Sequence, residues 1–306
     1  MKMVIRADDV GYTHVHNIGT FEAVDRGVVT SCDVMLETPG TEEALKLLHD
    51  RPWISTGWHT HFWGSPVLDP KEVPSMFDES TGHFRADLAR AEDVEYDECV
   101  REMRAQMDRC VKMLGRPLDV AMKPHGKTPF SRAMKTIIEE YGIANDFCYS
   151  VDFRILYEEK RIEYTIAPDE KWKERKIYMT VPKRNETVHT VYQTDSIQVQ
   201  KNYEPLNMWL KDEAGLAALP SDAVSVVVLH PGYLDYYVLK EGDHGPAAWN
   251  FLTTRPLEVH ALCSPELHAW LNEHDVELMN FRDALYGTRD YQNHLRVINN
   301  DLYRVI

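Results

Sequence analysis

Two aspartates, Asp8 and Asp9, stand side by side in VIRADDVGYT, after a short apolar run and just before Gly11. Carboxylates that share a site repel, and burial raises the pKa of at least one of them. Two readings account for such a pair. One is an Asx-type turn in which Gly11 supplies an unusual backbone angle. The other is a metal site, with one carboxylate as ligand and its neighbour as base. Three later apolar runs end in histidine: ISTGWHTHF (54–62) carries His59 and His61, LDVAMKPH (118–125) ends in His125, and SVVVLHPG (225–232) carries His230. Aspartate with imidazoles is a donor set for zinc, with one position left open for water. The same ligands can hold iron, cobalt, nickel or manganese. Side chains alternate along a strand, so only one of His59 and His61 is expected to face the ion. His14 and His16 read as a solvated helix start.

These residues need elements to bring them together. Candidate strands are MVIRA (3–7), VVTSCDVML (28–36), the three histidine-bearing runs and VELMNF (276–281). Several lack alternation, as strands covered on both faces do. Between them lie helical patterns. In EYDECVREMRAQMDRCVKMLG, Val100, Met103, Met107, Cys110, Val111 and Leu114 form an apolar stripe, and Gly115 and Pro117 end it. TEEALKLLHD opens at Thr41, SRAMKTIIEEYG begins at a capping Ser131 and ends at Gly142, and SPELHAWLNEH has Ser264 as N-cap with Pro265 first in the helix. Alternating strands and helices predict a parallel α/β architecture, as a barrel or an open sheet. In such folds the active site lies at the carboxyl ends of the strands, where Asp8, Asp9, His59, His125 and His230 all fall. The tract at about 146–206 breaks the rhythm. It alternates polar and apolar residues, as exposed antiparallel strands do, and reads as an insertion into one domain spanning 1–306. Asp146, Asp152 and Arg154 could reach the site from it.

The 306 residues and 43% hydrophobic content supply a sizeable core, and a formal charge of -15 argues against nucleic acid and anionic membranes as partners. No dinucleotide or P-loop motif follows the first strand. MKMVIRADD has no long apolar segment of a signal peptide, and no stretch reaches a membrane span. The five cysteines are widely spaced without a CxxC, as reduced thiols of a cytoplasmic protein would be.

In their order and spacing, ADDVG, RGVVTSCDVML, GWHTHF, LGRPLDVAMKPHGK and VVLHPGYLD resemble the YdjC-like carbohydrate deacetylases, a group that includes chitooligosaccharide and hopanoid-type deacetylases. The resemblance implies a distorted (β/α) barrel of the polysaccharide-deacetylase type, here with an inserted antiparallel excursion. It implies one divalent ion, zinc or magnesium, held by Asp9, His59 and His125. It makes Asp8 the general base and His230 the general acid of amide hydrolysis on an N-acetylated amino sugar or short oligosaccharide. It also implies a homodimer.

The chain departs from the family where a histidine-rich segment is usual and Met122-Lys123-Pro124-His125-Gly126-Lys127 stands instead. Lys123 and Lys127 are candidates for an anionic group on the substrate. Val10 and Glu37 also depart from the family's usual residues. His61, Trp63 and Tyr233 complete the candidate substrate-binding set. Trp53, Trp58, Tyr236 and Tyr237 are further flat faces that suit sugar rings, as well as ordinary core residues. Two rival readings are another metal-dependent amide hydrolase or sugar-phosphate enzyme on the same barrel, and a carbohydrate-binding protein without catalysis.

Overall fold

A computed structural model describes residues 1–121, 126–145, 177–180, 203–212, 216, 224–240 and 252–305. In chain order its strands are β1 (Lys2–Val10), β2 (Ser31–Val34), β3 (Ser55–Trp58), β4 (Phe77–Asp78), β5 (His83–Phe84), β6 (Val120–Ala121), β7 (Ala144–Asn145), β8 (Ile177–Thr180), β9 (Val224–Leu229) and β10 (Glu277–Leu278). Its helices are α1 (His14–Asp25), α2 (Thr41–His49), α3 (Tyr96–Leu114), α4 (Pro129–Tyr141), α5 (Asn207–Leu210), α6 (Tyr236–Lys240), α7 (Arg255–Leu262), α8 (Pro265–Glu273), α9 (Phe281–Tyr286) and α10 (Asp290–Val297).

The main sheet runs β7-β6-β3-β2-β1-β9-β8, with β10 also paired to β1. Each of these pairings is parallel. β4 and β5 form a separate antiparallel pair. Among the described residues β7 and β8 are the two ends of the sheet and do not pair with each other. The parallel α/β expectation therefore holds, and the closed barrel is not seen. The antiparallel expectation for 146–206 is corrected where that tract is described: β8 is a parallel neighbour of β9, with Ile177 opposite Val224. Asp146, Asp152 and Arg154 lie outside the described residues.

β1 is the axis of the fold. Met3 to Val10 are all buried, and so are all six residues of β9, as strands covered on both faces require. α3 packs against α4. Its buried stripe is Cys99, Met103, Met107, Cys110 and Leu114, turned slightly from the expected one, with Val100 only partly buried. Each such side chain, fully buried, contributes about 1.5–3 kcal/mol. Gly115 ends α3 and Gly142 ends α4, both in the left-handed conformation. The start of α4 differs from expectation. Thr128 is the N-cap and accepts from the Ser131 backbone N–H, and Pro129 opens the helix. Ser264 caps α8 as expected. Cys32, Cys99, Cys110 and Cys263 form no disulfide, and no described helix is long and apolar enough to cross a membrane.

Candidate metal centre

Strand alternation would send Asp8 and Asp9 to opposite faces of the sheet. The chain avoids this with a register irregularity between β1 and β2, spanning Ala7 to Val10. Asp9 takes a left-handed φ of 60°, and Gly11 follows with φ 90°. The unusual backbone angle expected at Gly11 is present, and the distortion brings the two adjacent carboxylates to one place. Both are buried, each 1% exposed.

β3 ends at Trp58, so His59 and His61 lie just beyond the strand; alternation separates only neighbours, and residues two apart share a face. His59 Nε2 stands 2.7 Å from Asp9 Oδ1, and His61 Nε2 stands 3.8 Å from the same oxygen. The expectation that only one of the two faces the carboxylate is thereby corrected. Phe62 takes a left-handed φ of 58°, and its ring packs on Phe84 and Phe130. The His61 and His59 ring centroids lie 4.3 Å apart, edge to face. His61 in turn stacks on Trp63, at 4.2 Å and 11°.

On the other side, Asp8 Oδ2 lies 4.0 Å from His59 Nδ1 and 3.9 Å from His230 Nε2. Arg6, two residues earlier, lies with Nε 2.7 Å from Asp8 Oδ1 and reaches Asp33 Oδ2 at 3.3 Å. Gly57 makes room for Asp33, since a Cβ there would sit 2.2 Å from the Asp33 carboxylate. Burial, only partly opposed by Arg6, raises Asp33 to about 6. Burial would lower the His59 imidazole, but Asp8, Asp9 and Asp33 outweigh it and raise its pKa to about 9.

Reading the sequence missed α7. Arg255, fully buried, donates to Asp9 Oδ2, and its Nη1 is 2.9 Å from His16 Nε2. Burial pushes the Asp9 carboxyl up, and Arg255 with His59 more than reverses this and holds it well below the usual carboxylate range. One turn on, Glu258 accepts from the His230 backbone N–H and from the Tyr203 hydroxyl, the latter at 2.6 Å. A charged pair three apart on a buried helix face was the available signal. His16 is also corrected. It is fully buried, and burial with Arg255 lowers its pKa to about 3, whereas His14 is solvated as expected. Gly232 of HPG admits the His16 ring, since a Cβ there would lie 2.2 Å from Nε2.

The remaining candidates are spread out. Tyr233 donates its hydroxyl to Glu22 on α1 at 2.6 Å, and Lys127 is exposed just before α4. Trp58 is core and Trp53 stacks on His294 at 3.8 Å. Tyr237 joins the aromatic cluster of Tyr12 and Trp63, and Tyr236 is exposed. Lys123 and His125 lie outside the described residues.

Among the described residues two groups of side chains could hold an ion by distance: Asp9, His59 and His61, and Asp8, Asp33 and His59. The second already encloses a cation, the Arg6 guanidinium. The first fits an ion. Asp9 Oδ1 and His59 Nε2 are buried and face each other at 2.7 Å, with no further hydrogen-bond partner for either atom. Buried polar atoms are almost always satisfied, and a divalent ion would satisfy both.

The molecule is a parallel α/β sheet with an Asp/His cluster at its carboxyl edge. Residues 2–273 match the YdjC-like protein family, and the chain belongs to it. It is 27% identical to a carbohydrate deacetylase of Brevibacillus brevis over 92% of this chain and 99% of that one. It is 25% identical to carbohydrate deacetylase 2 of Listeria innocua, over 92% and 98% of the two chains. A solved structure from Enterococcus faecalis V583, provisionally named a cellobiose-phosphate cleavage protein, shares the fold with a TM-score of 0.61. It is 24% identical and covers 93% of this chain and 98% of its own.

Proposed function

We propose that this protein is a metal-dependent deacetylase of N-acetylated amino sugars or short oligosaccharides. The carrying observation is the buried pair of ligand atoms, Asp9 Oδ1 and His59 Nε2, which have no partner beyond each other, beside a second carboxylate that faces two imidazoles. The names of the curated relatives support the substrate class. Asp9 and His59 would hold the ion, joined by His125 on the family resemblance. A divalent ion bound there supplies an activated water at neutral pH and polarises the acetyl carbonyl.

The chain's own residues do the rest. Arg6 fixes the Asp8 carboxylate, and Asp8 Oδ2 takes the proton of the attacking water. His230, seated by Glu258 through its backbone, gives a proton to the departing sugar amine. Water is consumed, the C–N bond breaks, and acetate and an amino sugar leave.

The test is acetate release by ion-loaded and chelator-stripped protein on a panel of N-acetylated mono- and oligosaccharides. Ion-dependent acetate is expected, and Asp8→Asn is expected to abolish it while the ion stays bound. Silence of the wild-type protein across the panel, with the ion bound, overturns the reading and turns attention to phosphorylated sugars.

A further inference from the structure

We propose that His61 is itself a ligand of the same ion, and that its imidazole tips the centre toward zinc-like ions and away from magnesium. This rests on the metal-centre reading above. Ligand atoms about 2.1 Å from one ion stand roughly 3–3.5 Å apart. The separations of 2.7 Å and 3.8 Å from Asp9 Oδ1 to His59 Nε2 and His61 Nε2 lie on either side of that range. All three side chains offer a ligand atom within 4.8 Å of one another.

The surroundings of His61 are those of a held ligand. Phe62, next in the chain, has a left-handed φ and packs among Trp58, Phe84 and Phe130, which holds the backbone beside His61. Trp63 stacks flat on the His61 ring and sets its plane. Trp63 is fixed in turn, since Glu37 Oε1 accepts its backbone N–H at 3.2 Å and Tyr12 packs on its ring. Contact with a sugar does not require a ring nitrogen aimed at Asp9. An added imidazole matters for ion choice because magnesium prefers carboxylate and water oxygens, whereas zinc and cobalt accept nitrogen readily. Asp9 can offer the ion little more than Oδ1, since Arg255 occupies Oδ2. Nitrogen donors therefore dominate.

The experiment titrates the stripped full chain with Co²⁺, read by visible absorption, and with Mg²⁺ by competition, without substrate. Removing a residue that only orients a ligand costs about 10–100-fold in affinity. His61→Asn is expected to weaken Co²⁺ by about a hundredfold or more, to alter the cobalt spectrum, and to leave Mg²⁺ affinity nearly unchanged. Trp63→Leu, which frees the ring without removing it, is expected to cost about tenfold. Wild-type cobalt affinity and spectrum in His61→Asn, with cobalt lost in His59→Asn, overturn this inference and leave the centre standing. Wild-type affinity in His59→Asn overturns the centre and this inference with it.

Discussion

The carboxyl ends of β1, β3 and β9 obey different rules from the layer formed by α3 and α4. In the helical layer the buried residues are mostly apolar, the buried Glu102 accepts from the Val67 and Leu68 backbone N–H groups and from Gln106, and left-handed backbone is confined to the capping glycines Gly115 and Gly142. Arg104 pairs with Glu140 across the two helices at the surface, where such a pair contributes little. At the strand ends, non-glycine residues Asp9 and Phe62 take φ of 60° and 58°. Asp8, Asp9 and Asp33 are buried there with Arg6 and Arg255. The helical layer is held by removing apolar surface from water, which is non-directional and tolerates small errors of fit. The strand ends are held by charge compensation, which fails abruptly when one partner is removed.

The largest expected break in this contrast is Arg255→Met. It leaves Asp9 without its guanidinium, and removing one partner of a buried pair costs about 3–5 kcal/mol. Urea unfolding in chelator should register that loss, and saturating Zn²⁺ should recover much of it by placing another cation on Asp9. Recovery absent altogether would mean that Asp9 does not meet the ion. Ile137→Ala, in the fully buried face of α4, should cost about 2–4 kcal/mol through the cavity it leaves. That loss should be the same with or without Zn²⁺, and an ion-dependent loss would erase the distinction between the regions.

The same contrast explains what could be read in the sequence. The α3 stripe is a local pattern, repeated over five turns, so reading it needs no knowledge of what packs on it. The crowding of Asp8, Asp9, His59 and His230 could be inferred from their shared position at strand ends. Their pairing partners could not. Arg255 meets Asp9 across 246 residues, from a short helix with no strong apolar period. His16 looked solvated because its burial depends on Gly232, far away in the chain. The shared orientation of the two aspartates was hidden because it depends on a register slip that breaks the alternation a reader must assume. β6 and β10, two residues each, carry too little periodicity to set their bounds. The cap of α4 is a smaller case: Thr128 and Ser131 are both capable residues, and Pro129 at the first helical position decides between them.

A smaller effect would sharpen the comparison within the charged region. Glu37 lies just past β2, buried, accepting the Trp63 backbone N–H that fixes the aromatic support of His61. Burial raises its pKa from 4.5 to about 7, against the lowering influence of its backbone hydrogen bonds. The folded state therefore holds this proton more tightly than the unfolded chain. The stability Glu37 contributes is fully present below about pH 4.5 and is lost as pH rises through about 7. A shift of that size corresponds to about 3 kcal/mol at most. Glu37→Gln keeps an oxygen for the Trp63 N–H and removes the ionisation. In chelator, its unfolding free energy should match wild type at pH 4 and exceed it at pH 8.5 by about 2 kcal/mol. A difference that does not grow with pH would mean that Glu37 is not titrating in the folded state. Charge would then be compensated there as fully as at Asp9, and the strand-end region would carry no residual pH-dependent cost at this position.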